Sequence, residues 1–364
     1  MSQTPELAPE LAVAMDWGGT WIRASVIDRQ GEIRWQSRVA NPKSGAQSRL
    51  LEVATELLRV AIGRCAGRAL AGIGVAVAGP VDAETGILYD PPNLRVLDGV
   101  SLKALWEPLL GQRVWVGNDA NLAALGEYHH GAGREARAAG RQPRTLAYLT
   151  ISTGIGGGVV DRGEMFVGAY GLATEIGHMT IDRSGAAPRC QCGGNGCLEA
   201  LASGTAIARI ARARLAGMER PASILAAYEM ESISSELVFE AAAEGDELAL
   251  DILEGVVQSL SIGLTNVLHL FNPDLVVLGG GVTAGLDQLG LLPAIRGVML
   301  QRVMSARHRD FMLVASRLGD AAGMVGAATL VWKELDASTP PSLRQAQGRL
   351  CNRGHRLQID RGHR

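Results

Sequence analysis

The chain has 364 residues, 47% of them hydrophobic, and a formal net charge of −2. That length supports one large or two ordinary domains with ample core, and the near-balanced charge gives no basis for a nucleic-acid or membrane surface. Residues 1–10 carry neither a basic start nor an apolar run of signal length, and no uninterrupted apolar stretch reaches spanning length, so a cytoplasmic protein is expected.

Residues 11–15 are a short apolar run that stops at Asp16, Trp17, Gly18, Gly19 and Thr20. Residues 21–27 read as a second strand, which makes 16–20 a tight turn between two strands. A helix is predicted over about 48–66, where Leu50, Leu51, Ala54, Leu57, Leu58 and Ala61 recur at helical spacing. Residues 73–77 are a buried strand ending at Gly79 and Pro80. Residues 114–116 are another, and they run into Asn118, Asp119 and Asn121, where a helix starts. Strands alternating with helices predict an α/β fold.

A second set of elements opens at 145–150 and runs into a Gly-rich turn over 152–158. The Arg-rich segment 134–144 before it reads as a solvated surface loop. A long amphipathic helix over about 246–271 precedes a buried strand at 275–278, which ends in Gly279, Gly280 and Gly281. Two halves built alike, each with a Gly-rich hairpin, predict a duplicated fold around a cleft. Residues 337–364 hold six Arg against one Asp with no apolar period, and read as a disordered tail.

No Gly-Lys dipeptide occurs, so a Walker A phosphate loop is excluded. The turn at 16–20 suits a phosphate in another way. Its glycines let backbone N–H groups approach closely, Thr20 adds a donor, and Asp16 can hold Mg²⁺ through waters. The turns at 152–158 and 279–281 repeat this logic. Asn118 and Asp119 sit where a strand gives way to a helix, a place where such residues cap the helix or meet a ligand. An aspartate there can take the proton of a hydroxyl that attacks phosphorus.

His178, Cys190, Cys192 and Cys197 fall within one compact loop, bracketed by Glu175 and Glu199. Three Cys and one His at this spacing close a tetrahedral zinc site with no open position, so the metal would be structural. A disulfide is the competing use of these thiols, and nothing else in the sequence suggests an oxidising compartment.

Taken together, these motifs resemble those of the sugar kinases of the ROK family (repressors, open reading frames, kinases), within the actin-like ATPase and hexokinase superfamily. The resemblance rests on the 16–20 turn, Gly79 to Asp82, Pro92 to Leu94, the Asn118 to Asn121 motif, Thr153 to Gly158, Glu175 to His178, the Cys cluster through Glu199, Leu278 to Val282, and the closing segment 319–328. It implies two actin-like, ribonuclease H-like α/β domains flanking a nucleotide- and sugar-binding cleft. The first would span 11–118, completed by a C-terminal helix at about 320–335; the second would span 119–319 and carry the zinc loop 178–197.

The resemblance also implies roles. Asp119 would be the general base, with Asn93, Asn118, Glu175, His178 and Glu199 on the sugar hydroxyls. Asp16, Gly18, Gly19, Thr20, Thr153 and Gly154 would line the phosphate path, with Gly280 and Gly281 on the adenosine side. Zinc on one nitrogen of His178 would fix its ring for a sugar hydroxyl. The implied activity is ATP-dependent phosphorylation of a hexose, glucose first. N-acetylmannosamine, N-acetylglucosamine, mannose and fructose are alternatives, and a homodimer or homotetramer is expected.

Trp17 and Trp21 flank the first turn where family members often carry smaller or basic residues; core packing explains them. Thr174 replaces the glycine usual before Glu175. The segment after Asn93 lacks the family's common Pro-Gly-Trp. A sugar-sensing regulator of the same family is the rival reading, but only fifteen residues precede Asp16, too few for a helix-turn-helix module.

Overall fold

The computed structural model describes residues 10–42, 46–217 and 222–338. Strands β1 (Leu11–Trp17), β2 (Trp21–Asp28) and β3 (Ile33–Ala40) form an antiparallel meander. Helix α1 (Gln47–Gly63) follows, then β4 (Leu70–Val77), α2 (Leu102–Leu110) and β5 (Val114–Asn118). Strand β4 lies parallel to β1 and β5 parallel to β4, giving the order β3-β2-β1-β4-β5. The polar-rich β3 was not foreseen. It is an edge strand with alternate exposure, so its sequence lacks a buried run.

Helices α3 (Asp119–His129) and α4 (Ala132–Ala138) lead into β6 (Thr145–Ile151), β7 (Ile155–Asp161) and the short β8 (Glu164–Met165). Next come α5 (Leu198–Ala202), α6 (Gly204–Ala216), α7 (Ser235–Ala243) and α8 (Glu247–Phe271). The chain then forms β9 (Leu275–Gly279), α9 (Gly281–Gln288), α10 (Leu292–Arg302), β10 (Met312–Ala315) and α11 (Ala322–Ser338). The second sheet has the order β10-β9-β6-β7-β8. Read from β8, it repeats the first sheet: an antiparallel meander with two strands added in parallel on the other side.

Three cores result. Leu57, Leu58 and Trp106 of α1 and α2 pack on Val13, Met15 and Trp17. Helices α5 to α10 bury the outer face of the second sheet, with α8 contributing residues from Leu248 to Leu268. Helix α8 is apolar and long enough to cross a membrane, yet most of it is buried in this core. Between the sheets lie α3 and α11, whose Leu122, Leu125, Ala327 and Val331 meet Ala14 on one side and Tyr148 and Val277 on the other. The two helices cross at glycines. A Cβ on Gly326 would fall inside the Leu122 carbonyl, and one on Gly126 would lie 2.6 Å from the Ala322 carbonyl oxygen.

Three expectations need correction. The predicted turn over 152–158 is only 152–154; Gly156, Gly157 and Gly158 belong to β7. There the missing side chain serves packing, since a Cβ on Gly158 would lie 2.6 Å from the Ala120 carbonyl oxygen of α3. The first part of the Arg-rich segment, 134–138, belongs to helix α4, and only the remainder is an exposed loop; Arg137 donates to the carbonyls of Tyr128 and His129 at 2.7 and 3.0 Å. Trp17 is core, stacked on Trp106 at 6.0 Å, but Trp21 is exposed beneath Arg38. Apart from its first two residues at the end of α11, the expected tail 337–364 lies outside the described residues.

Candidate active site

The first turn is shaped from outside itself. Asn41, just past β3, donates from Nδ2 to the Gly18 and Gly19 carbonyls at 3.2 Å each. Its Oδ1 accepts from the Trp17 indole at 3.3 Å. With those carbonyls tied down, the amides of Gly19 and Thr20 meet no acceptor among the described residues. Asn93 packs directly against this turn, since a Cβ on Gly19 would lie 3.0 Å from the Cβ of Asn93. No short-range pattern marks Asn41, which reaches the turn only because β3 pairs with β2.

Asp16 closes β1 at the floor of the cleft. Its carboxyl is raised above the usual range by burial and by Asp320, while Arg23, 3.3 Å away, opposes the shift. Asn118 closes β5 and caps α3, accepting from the Ala120 and Asn121 amides at 3.0 and 3.1 Å. Its Nδ2 donates to the Gly79 carbonyl at 3.2 Å, which leaves one amide hydrogen for a ligand. Asp119 is the first residue of α3. Burial pushes its carboxyl up to about 7, and the charges of Asp16 and Glu175 add to the shift. Asp16, on β1, and Asp119, at the start of α3, therefore share one electrostatic site.

The loop from 174 to 199 brings the second cluster. The ligand atoms of His178, Cys190, Cys192 and Cys197 all lie within 4.8 Å of one another. Cys192 and Cys197 sulfurs are 3.7 Å apart, and Cys190 Sγ is 3.6 Å from His178 Nδ1. Zinc–sulfur and zinc–nitrogen bonds in a tetrahedron require about 3.8 Å and about 3.6 Å for these separations, so the set fits zinc. Burial raises the thiols of Cys190 and Cys197. A cation among them would be needed to hold them as thiolates.

Two carboxylates frame this set. His178 Nε2, turned away from the sulfurs, faces Glu175 Oε2 at 4.0 Å. Glu199, two residues past Cys197, accepts from the Ile155 amide at 2.9 Å, and its other oxygen is 3.7 Å from Cys190 Sγ. Gly154 makes room for it, as a Cβ there would lie 2.5 Å from Glu199 Oε2. Glu175 is raised by burial and by Glu199.

The second hairpin borders a cavity of about 340 Å³. Thr153 lines it, with Gly281 opposite. Gly280 takes a φ of 88°, and any Cβ would strike the Ile151 backbone. The N-terminus of α9 opens here, giving a positive end suited to phosphate, whereas the first amides of α6 are taken by the Ser152 and Thr153 carbonyls and the Ser203 hydroxyl. Gly204 donates to the Ser152 carbonyl at 2.7 Å, and Thr205 Oγ1 donates to the Thr153 carbonyl at 2.8 Å. The sequence reading missed both; the Ser-Gly-Thr run at 203–205 was the available signal. A larger groove of about 810 Å³, between β3, α1 and α2, contains none of the candidate site residues.

Comparison with known proteins shows the family. The model of the ROK family matches residues 12–334. The glucokinase of Thermotoga maritima is 32% identical over 320 residues, covering 88% of this chain and 96% of that protein. A crystal structure of a ROK family glucokinase from Streptomyces griseus, in complex with glucose and AMPPNP, superposes with a TM-score of 0.71 at 32% identity. It covers 89% of this chain and 99% of its own. A putative xylose repressor from Caldicellulosiruptor is 29% identical over 328 residues, covering 89% of this chain and 79% of that protein.

Proposed function

The chain belongs to the ROK family and is an ATP-dependent sugar kinase, and on that premise we propose that it transfers the γ-phosphoryl group of ATP to the 6-hydroxyl of glucose. One observation carries the reading. Asp119 starts a helix between the Asp16 turn and the Glu175–Glu199 cluster, and its carboxyl is poised at about 7. A base with that pKa is ionised often enough at neutral pH to accept the hydroxyl proton, and basic enough to hold it.

Asp119 takes the proton as the sugar oxygen forms its bond to the γ-phosphorus and the bond to the β-γ bridging oxygen breaks. Asn93, Asn118, Glu175, Glu199 and His178 Nε2 hold the remaining hydroxyls. A missing hydroxyl leaves one of these groups unpaired, at about 1–3 kcal/mol, which is how the site selects its sugar. The amides of Gly19 and Thr20 meet the phosphates, and Thr153, Gly154, Gly280 and Gly281 receive the rest of the nucleotide. Asp16 would hold Mg²⁺ through waters, and the ion would neutralise phosphate charge. His178 Nδ1 and the thiolates of Cys190, Cys192 and Cys197 would hold zinc, which would fix the imidazole and keep Glu199 at the cleft.

The test is ADP release with MgATP across glucose, mannose, fructose, N-acetylglucosamine and N-acetylmannosamine. Turnover should be highest on glucose; a different preferred sugar would reassign the substrate and keep the mechanism. The repressor relative supports a second reading, a sugar-sensing regulator. Sugar binding without turnover by folded, zinc-loaded protein would favour it.

A further inference from the structure

Each sheet ends in a strand with one open side, β5 in the first and β8 in the second. A cavity of about 440 Å³ lies between them, walled by Val81, Trp115, Val116, Met165, Val167 and Leu330. The Ile73 amide donates to the Arg113 carbonyl at 2.9 Å, which fixes how β5 meets β4. In that parallel pairing Arg113, Trp115 and Gly117 turn their main-chain groups to β4, while Val114 and Val116 turn theirs to the open side. Glu107 Oε1 accepts from the Val114 amide at 3.1 Å, so that group is satisfied. The amide and carbonyl of Val116 meet no partner among the described residues, although Val116 is only 1% exposed. Both groups open on the cavity.

A buried N–H and C=O without partners are costly, and an open strand side is a template for another extended chain. The two groups of one strand residue are matched by the N–H and C=O of one residue in a second extended chain, a pair that a ligand with a single amide does not supply. The cavity walls offer apolar surface to its side chains. The mouth carries both signs of charge. Lys333 pairs with Glu164 at 2.6 Å, whereas Glu84, Arg113 and Glu334 join no ion pair among the described residues. Arg113 lies over the Trp115 ring instead, at 4.6 Å. Both ends of a short peptide therefore find an opposite charge there. We propose that this cavity binds a short apolar peptide in extended form, paired with Val116 as an added strand, and that its binding is coupled to that of the sugar. Val116 stands on the first sheet and Met165 on the second, so the spacing that sets the cavity's width also sets how closely Asn118 approaches Glu175. A peptide that changes sugar affinity must have its own affinity changed by sugar in the same ratio. The peptide site stands without the kinase reading; the coupling rests on it.

Calorimetry on the full chain with the tripeptide Val-Leu-Val, and with the same peptide N-methylated at its leucine, tests both halves. Val-Leu-Val should bind, and N-methylation, which removes the donor to the Val116 carbonyl, should weaken it about tenfold or more. Ala83→Trp, at an exposed position on the cavity rim, should abolish binding, and Val167→Trp serves if the first variant leaves room. Equal binding of the two peptides would overturn the strand pairing. Undiminished binding to both tryptophan variants would place the peptide elsewhere. No binding of Val-Leu-Val to wild type at about 10 mM would overturn the site and leave the cavity to water. Saturating peptide should shift the glucose Kd by about threefold or more, and an unchanged Kd would overturn the coupling. Wild type that binds the peptide but no sugar would sink the kinase reading and leave the peptide site standing.

Discussion

The hydroxyl oxygen of Thr174 lies 3.1 Å from Oδ1 of Asn121, and this contact ties the loop bearing Glu175 to the helix bearing Asp119. Thr174 holds a φ of 67°, a left-handed conformation that costs a β-branched residue about 1–2 kcal/mol. The same hydroxyl is 3.2 Å from the Gly157 carbonyl oxygen. The Ala173 carbonyl oxygen is nearer still, at 2.5 Å, and one proton serves one acceptor, so with a backbone carbonyl taking the proton the hydroxyl receives from the Asn121 amide when that amide is turned to present Nδ2. Local bonding thus offsets backbone strain next to a candidate sugar ligand.

Substitution at 174 separates the two effects. Thr174→Val keeps the strain and strips Asn121 of its partner, and should lower stability by about 1–3 kcal/mol. Thr174→Gly loses the same bond but relieves the backbone, and should lie closer to wild type. Urea midpoints compare the three proteins; equal midpoints for valine and wild type would show that the hydroxyl bond contributes nothing.

Asp119→Asn should cut kcat by about 10²- to 10⁴-fold while sugar affinity stays within a few-fold. In wild type, kcat/KM should fall about tenfold per pH unit below a break near 7, because the base must be ionised. Stability has the opposite dependence. A carboxyl raised from 3.8 to about 7 in the fold favours the native state when protonated, and that contribution is lost as pH rises through about 7. Thermal unfolding without nucleotide should therefore find Asp119→Asn more stable than wild type at pH 8, with the gap closing toward pH 4.

Metal analysis should return one zinc per chain. Chelation, or Cys192→Ser, should raise the sugar KM by about tenfold or more through His178 and Glu199, with a smaller effect on the ATP KM. An unchanged sugar KM in zinc-free protein would detach the metal loop from the sugar site.

The helix crossing predicts a contrast between two glycines. Gly326→Ala drives a methyl into the Leu122 carbonyl and should cost about 3 kcal/mol or more. Gly255→Ala, mid-helix in α8 with open space around it, should stabilise by about 1 kcal/mol. Chemical denaturation of both variants checks the sign of each.

Much of the site was legible because its signals are local. The spacing from Cys190 to Cys197 points to a metal-binding loop whatever the rest of the chain does, and the structure brings the three sulfurs together with His178 in a set that could hold a metal ion. Asn118 and Asp119 were legible as a strand-to-helix junction. Asn41, Arg23 and Thr205 were not, because each reaches the site through strand pairing or a loop contact that no short window contains. Glu127 carries the same lesson. It is fully buried, yet its carboxylate is consumed by the Ala132 and Leu318 amides at 2.7 and 2.8 Å, a bracing role that its sequence neighbours do not announce.

By itself, then, the sequence determined the α/β class, the repeated strand–turn–strand units and the clustering of the three thiols in one loop, since each depends on spacing within a few residues of chain. Only the tertiary structure decided which glycines serve packing and which line a turn, and how acidic Asp119 is. Those properties depend on what lies within a few ångströms in space: α3 against β7 for Gly158, and Asp16 and Glu175 around the buried Asp119 carboxyl. Burial and charge act through distance, and that distance is set only when both sheets close on α3 and α11.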